Sequence, residues 1–323
     1  MTVQTRPSGA NPRHHLLKAL LLVTLSIACI NTNAAVTKWV NIKIEDGALW
    51  LETKVGGVDG YSMIDSGAQI NAINGNFLRA SGQSYRTGRA ITIRGILGSE
   101  QRSSYHSIPV ELFGSSINFK GLVDIDFGGE NAQLILGAPF LKLYVFQFDY
   151  PNKRMRFITR DSINLKKQKN VKSELDYKTR DPIVKVNMND EKNIWLQLDT
   201  GNNGGVLIER QVAASREWLE KFPTEIIDVR GATTSGQTER FNLPTFEIGG
   251  FELSNVIINV PPKGKSFELF ERETKTGSRL RQKRSKSQGI LGYDVLKHFV
   301  VTIDYKGGHV HLEAPVPQDS TTE

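Results

Sequence analysis

Cysteine is nearly absent: Cys29 is the only one among 323 residues, and it lies in a segment that reads as a removable leader. Without another thiol there is no structural disulfide, no zinc-cysteine centre and no thiol nucleophile. No stretch approaches the ~20 consecutive apolar residues of a membrane helix, so no span is expected. Gly56-Gly57 and Gly204-Gly205 lack both the spacing and the following Lys of a phosphate loop. His309 and His311 alternate along one strand with no third ligand nearby, so they read as surface residues of a closing strand. Neither metal nor cofactor is expected.

The first 34 residues differ in kind from the rest. Arg6, Arg13 and Lys18 occur without any acid, an apolar run follows over residues 19–30, and Thr32-Asn33-Ala34 supplies small residues at the end. This is the pattern of a secretory signal peptide, cleaved after Ala34. A competing reading takes Ser26-Ile27-Ala28-Cys29 as a lipoprotein site with Cys29 acylated, although Ser26 stands where such sites usually carry Leu.

The formal charge of +7 is unevenly placed. Loss of the leader's three cations leaves +4, and residues 261–288 hold nine Lys or Arg against three Glu, +6 by themselves. The remainder is slightly acidic. No basic face interleaved with aromatics is left for nucleic acid.

The chain also repeats itself. Met63-Ile64-Asp65-Ser66-Gly67 returns as Gln197-Leu198-Asp199-Thr200-Gly201. The run Leu134-Ile135-Leu136-Gly137, with Phe148-Asp149-Tyr150 after it, returns as Gly289-Ile290-Leu291-Gly292 followed by Ile303-Asp304-Tyr305. Gly137 to Asp149 and Gly292 to Asp304 both span 12 positions. Asp65 to Asp199 is 134 positions and Gly137 to Gly292 is 155, so the second copy carries 21 more. The basic stretch 261–288, without apolar periodicity, is the expected insertion, a solvated loop.

Both copies read as β. Val40, Ile42 and Ile44 alternate with polar residues, Asp46-Gly47 offers a tight turn, and Leu49, Leu51, Thr53 and Val55 alternate again. Val184, Val186 and Met188 do the same before an Asn189-Asp190 turn, and an apolar strand then leads into Asp199. One short helix is expected over residues 209–221. The expected organisation is a signal peptide (1–34), a first lobe (35–160), a polar linker (161–180), a second lobe with the insertion (181–315) and a tail (316–323).

An Asp that ends a buried strand and is followed by Ser or Thr and then Gly is a specific arrangement. Gly67 and Gly201 permit tight turns and close backbone approach, and the hydroxyls of Ser66 and Thr200 can bond across to the opposite loop. Facing loops would bring Asp65 and Asp199 within a few ångström. Two carboxylates that close share one proton over a wide pH range. The ionised one can take a proton from water while the other hydrogen-bonds a carbonyl oxygen. Asp149 and Asp304 also repeat, but in turns after apolar strands, where a structural role is expected.

These motifs resemble the retropepsin and pepsin superfamily of aspartic peptidases. Asp65-Ser66-Gly67 with Ile135-Leu136-Gly137, and Asp199-Thr200-Gly201 with Ile290-Leu291-Gly292, match the Asp-Thr/Ser-Gly loop and the later Gly motif of each lobe. The resemblance implies an all-β, mainly β fold of two acid-protease β-barrel lobes that form an intramolecular pseudo-dimer, with Asp65 and Asp199 catalytic and Gly137 and Gly292 behind their loops. It implies flaps at residues 91–98, with Gly95, Ile96, Leu97 and Gly98 at the tip, and at residues 228–236, with Gly231 and Ala232. The expected protein is a monomeric, exported, periplasmic or secreted aspartic endopeptidase acting on extended or unfolded exported polypeptides. Asn202 departs from the family pattern, which has Ala, Ser or Thr there, and an amide beside the pair could retune or weaken it. With no Ser or Thr after either Gly, the expected pH optimum is less acidic than pepsin's; a profile peaking below about 3 would contradict this. A catalytically silent peptide-binding scaffold, and an enzyme whose lobes pair between chains, remain the alternatives.

Overall fold

Asp46 and Gly47 both adopt positive φ (49° and 77°), the combination of a two-residue hairpin turn. They connect Lys43–Glu45 to Ala48–Val55 in antiparallel register, with Glu45 opposite Ala48. Gly56 and Gly57 (φ 56° and 85°) turn the chain again, and Val58–Ile64 pairs back along Ala48–Val55 and delivers Asp65 at its end. The computed structural model describes residues 35–231, 235–267 and 285–315. Residues 1–34, where the signal peptide and Cys29 are expected, Ala232, residues 268–284 of the insertion and residues 316–323 lie outside the described residues.

The same plan is built twice. In the first copy Ala132–Leu136 runs parallel to Val58–Ile64 and antiparallel to Ala72–Asn74. In the second, Gly289–Leu291 runs parallel to Lys192–Leu198 and antiparallel to Val206–Ile208. The hairpin equivalent to Pro182–Met188 with Lys192–Leu198 is therefore the one turning at Gly56-Gly57 rather than at Asp46-Gly47. Val40–Asn41 leaves the first hairpin and pairs with Arg154–Ile158. That pairing starts a five-stranded sheet in which Val145–Asp149, from the first copy, lies beside Val300–Asp304, from the second. The fold is mainly β, in curled sheets consistent with an acid-protease fold. One apolar cluster runs through both copies, including Leu49, Ile64, Phe148, Val184, Leu198 and Val301.

Three segments differ from the sequence reading. The polar stretch after Arg160 packs rather than dangles: Leu165 and Val171 are buried, and Ser173–Leu175 adds a strand to Pro182–Met188. So few apolar residues anchor it that composition alone conceals them. The helix expected over 209–221 is two, Arg210–Ala214 and Trp218–Lys221, because Glu217 enters the left-handed region (φ 56°) and drops Trp218 into the core. The basic insertion is buried at both margins, at Phe267 and Ser287. Its place follows from the flanking strands, since Leu122–Ile125 and Ala132–Leu136 are 7 positions apart but Phe251–Val260 and Gly289–Leu291 are 29.

Candidate functional site

Strand register brings each Asp to its place. Met63 lies opposite Ile135 and Ile64 opposite Leu136, and Asp65 N–H donates to the Leu136 carbonyl at 3.1 Å. Gln197 lies opposite Ile290 and Leu198 opposite Leu291, and Asp199 N–H donates to the Leu291 carbonyl at 3.0 Å. Each loop then folds back over the glycine that follows. A Cβ at Gly137 would overlap the Ile70 carbonyl, and one at Gly292 would overlap the Asn202 amide, so no larger residue fits behind either loop.

Four buried hydrogen bonds cross between the loops. Ser66 Oγ donates to the Leu198 carbonyl (2.8 Å) and accepts from Thr200 N–H (2.9 Å); Thr200 Oγ1 donates to the Ile64 carbonyl (2.8 Å) and accepts from Ser66 N–H (3.0 Å). Each hydroxyl uses both its donor and an acceptor site. The carboxyls complete the exchange: a Cβ at Gly67 would lie 2.5 Å from Asp199 Cγ, and one at Gly201 would overlap the Asp65 carboxyl. Both glycines are thus required by the close approach of the opposite side chain.

Asp199 is buried and Asp65 partly buried, and the two carboxyls face different surroundings. Asp65 Oδ1 accepts from Gly67 N–H (2.8 Å) and Ala68 N–H (3.0 Å), whereas Asp199 Oδ1 accepts from Gly201 N–H (2.9 Å). Burial pushes Asp65 above the ordinary carboxylate range, and hydrogen bonds from Asp199, Gly67 and Ala68 oppose it. Burial, followed by the charge of Asp65, holds Asp199 well above that range. The pair thus favours one negative charge, on Asp65, with the proton on Asp199.

Residues 184–295, which contain Asp199, Thr200, Gly201 and Gly292, match the family model of the aspartyl proteases. This segment is similar to the aspartyl proteases and supports a retropepsin-like family. The match places it among peptidase hydrolases, whose substrates are polypeptides. No curated protein matches the chain. Asp65 and the first copy lie outside the matched segment.

The segments expected as flaps form hairpins 26 positions after each Asp, at Ile91–Arg94 paired with Ser99–Arg102 and at Glu225–Arg230 paired with Ser235–Ile248. In the first, Gly95 N–H donates to the Gly98 carbonyl (2.7 Å), and Ile96 and Leu97 at the tip pack with Phe267, Ile290 and Leu207. Leu97 also reaches the second flap, where a Cβ on Gly236 would lie 3.2 Å from its Cδ1. Gly231 ends the strand Glu225–Arg230. Side chains alternate along a strand: Leu136 and Leu291 enter the core, while Ile135 and Ile290 turn to the other face, where they meet Ile93 and Phe267 respectively. Phe267 was hidden from the sequence reading by its charged neighbours.

Asn202 turns away from the pair. Its Nδ2 donates to the Gly205 carbonyl (2.9 Å) and its Oδ1 accepts from Gly204 N–H (3.2 Å), so its amide braces its own loop. Asp149 accepts from Asn152 and Arg154, and Asp304 from Arg160, as turn and ion-pair groups. Among the described residues no cluster of three or more His, Cys, Asp or Glu is arranged to hold a metal.

The tyrosines beside Asp149 and Asp304 were missed. Tyr305 Oη lies 3.0 Å from the Ser66 carbonyl and 2.5 Å from Asp181 Oδ1. Tyr150 Oη, equally buried, has no partner among the described residues. The repeated Asp-Tyr pair was the available signal. Because an unsatisfied buried hydroxyl is a cost, Tyr150→Phe is expected to leave stability unchanged or raise it by up to about 1 kcal/mol, measured by urea unfolding. A loss above that would place an unseen partner on this hydroxyl.

Proposed function

We propose that the chain is an aspartic endopeptidase whose two copies form one active site within a single polypeptide, with Asp65 as the base and Asp199 as the acid. The supporting observation is the four-bond lock that holds a buried and a partly buried carboxyl face to face. A water held between them attacks the peptide carbon, its proton passing to Asp65, while the Asp199 proton moves to the carbonyl oxygen. As the tetrahedral intermediate collapses, the C–N bond breaks, the amide nitrogen takes the proton from Asp65, and a hydroxyl proton returns to Asp199. The products are a carboxyl and an amine, and both aspartates regain their starting states.

Ile96 and Leu97, partly exposed at the tip of the first hairpin, provide apolar surface, so apolar residues beside the cut are favoured. The flap hairpins offer strand edges to an extended chain. Exported, unfolded polypeptides are the proposed substrates, met after removal of residues 1–34. N-terminal sequencing of the protein isolated from the cell envelope tests that removal, with Ala35 as the expected first residue.

The direct test is incubation of monomeric protein with an unfolded polypeptide across pH 3–8, with new termini identified by mass spectrometry. Cleavage first order in protein supports one intramolecular site. A rate rising with the square of concentration assigns pairing between chains, and binding without cleavage assigns a scaffold. The acid limb should report protonation of Asp65 and the alkaline limb loss of the Asp199 proton. Since burial raises both, the maximum of kcat/KM is expected above about pH 3.

A further inference from the structure

The two halves of the site are not supported equally. Asp181 lies 18 positions before Asp199, and the residue 18 before Asp65 is Gly47. The positions correspond in space: Gln69, four after Asp65, donates from Nε2 to Asp181 Oδ1, and Asn203, four after Asp199, presses its carbonyl on Gly47, where a Cβ would lie 2.6 Å away. Tyr305 and Tyr150 are the second corresponding pair. Only one side of this near-symmetric site therefore has a carboxyl behind the tyrosine.

Counting protons fixes the state of that carboxyl. Tyr305 has one hydroxyl proton and lies within bonding distance of two acceptors, the Ser66 carbonyl and Asp181 Oδ1. If Asp181 were ionised, one of these buried oxygen pairs would hold no hydrogen, an expensive arrangement in a dry site. A protonated Asp181 resolves it: Asp181 donates to Tyr305, and Tyr305 donates to the Ser66 carbonyl. Asp181 and Tyr305 are each 1% exposed, which also disfavours the charged forms.

The chain of bonds continues into the reacting pair. The Ser66 carbonyl and the Gly67 N–H belong to one peptide group, and that N–H donates to Asp65 Oδ1 at 2.8 Å. Hydrogen bonds in series polarise one another, so a donor on the carbonyl strengthens the N–H on the far side of the peptide. On the other half, Gly201 N–H donates to Asp199 Oδ1, but Tyr150 makes no bond that could polarise its peptide. We propose that Asp181 and Tyr305 are positioning residues that set the polarity of the pair, a neutral Asp181 acting through Tyr305 and the Ser66–Gly67 peptide to make Asp65 the member that ionises. The assignment of roles rests on the function proposed above, whereas the bond chain itself does not.

Burial, with the charge of Asp176 adding to it, disfavours a charge on Asp181, and side-chain hydrogen bonds from Tyr305, Thr179 and Gln69 oppose it; burial first, and the negative charge of the pair last, keep the Tyr305 proton in place. Lys142 Nζ sits 5.6 Å from the Tyr305 ring centroid, on its face rather than at its hydroxyl.

The test reads carboxyl ionisation directly, by carbon-13 NMR of the full chain labelled at the aspartate carboxyls, with resonances assigned by single Asp→Asn substitutions. In the wild type Asp181 is expected to hold its proton past the ordinary carboxylate range, and the pair's first ionisation to appear at Asp65. Tyr305→Phe and Asp181→Leu should each raise that first ionisation by roughly half to one pH unit, 3- to 10-fold in the equilibrium. Asp181→Asn, which retains a neutral donor once the Gln69 amide turns over, should stay near the wild type, and Tyr150→Phe should leave Asp65 unmoved. Ionisation of Asp181 in the ordinary range, or an unmoved Asp65 in folded Tyr305→Phe, overturns the proposal. Should Tyr305→Phe fail to fold, the wild-type Asp181 resonance decides alone. A wild type that cleaves nothing would end the peptidase reading and leave these titrations intact.

Discussion

Asp199→Asn is expected to lower cleavage of an unfolded polypeptide by at least about a thousandfold, the combined loss of an acid and of the oxygen-facing proton donor, while raising the melting temperature at pH 7. The two effects share one cause. Asp199 sits in a buried site beside Asp65, where burial and the neighbouring charge hold its pKa well above the unfolded value. A carboxyl whose folded pKa is raised contributes stability that is full below the unfolded pKa and is lost as pH rises through the folded one. At pH 7 folding of the wild type therefore requires Asp199 either to take up a proton that the unfolded chain has released or to hold a charge in a site that resists it, and the neutral amide relieves this. Below about pH 4, where the unfolded carboxyl is protonated as well, wild type and variant should converge in stability. Asp65→Asn should lose activity to a similar degree. Activity that survives both substitutions, or stability gains equal at pH 4 and pH 7, would remove the shared-proton pair from the account.

Thr200→Val is expected to cost about 2–4 kcal/mol of stability, because it removes a hydroxyl without changing shape and leaves two buried groups bare. Ser66 N–H loses its acceptor and the Ile64 carbonyl its donor, both at a seam from which water is excluded. Ser66→Ala should cost a comparable amount through Thr200 N–H and the Leu198 carbonyl. Because the two hydroxyls belong to one reciprocal network, the double variant should lose less than the sum of the two single losses. Urea unfolding of the four proteins measures this. Additive losses, or single losses below about 0.5 kcal/mol, the level of an ordinary surface substitution, would mean the loops are held by their strands rather than by the lock.

The fold was legible where periodicity carried it. Alternation around Asp46-Gly47 and along Val184, Val186 and Met188 marked strands, since a half-buried sheet imposes period two on the chain. The repeat of Asp65-Ser66-Gly67 and Asp199-Thr200-Gly201 was legible because two loops pressed against each other leave no room for a Cβ at Gly67 or Gly201. The helix break at Glu217 was not legible, because a left-handed residue there leaves no compositional trace. Nor was the packing of Leu165, Val171 and Phe267, where one apolar residue among charged neighbours finds a distant partner.

The site divides in the same way. By itself the sequence determined the two acidic loops and the glycines behind them, because each is a local backbone requirement that recurs in both copies. Only the tertiary structure decided that Asn202 braces its own loop, that Tyr305 bonds Ser66 while the Tyr150 hydroxyl has no partner among the described residues, and that Asp181 has a glycine as its counterpart. The Tyr305 and Asp181 contacts join residues more than a hundred positions apart. Where a side chain points across such a distance is set by the packing of two curled sheets, and no local pattern encodes it.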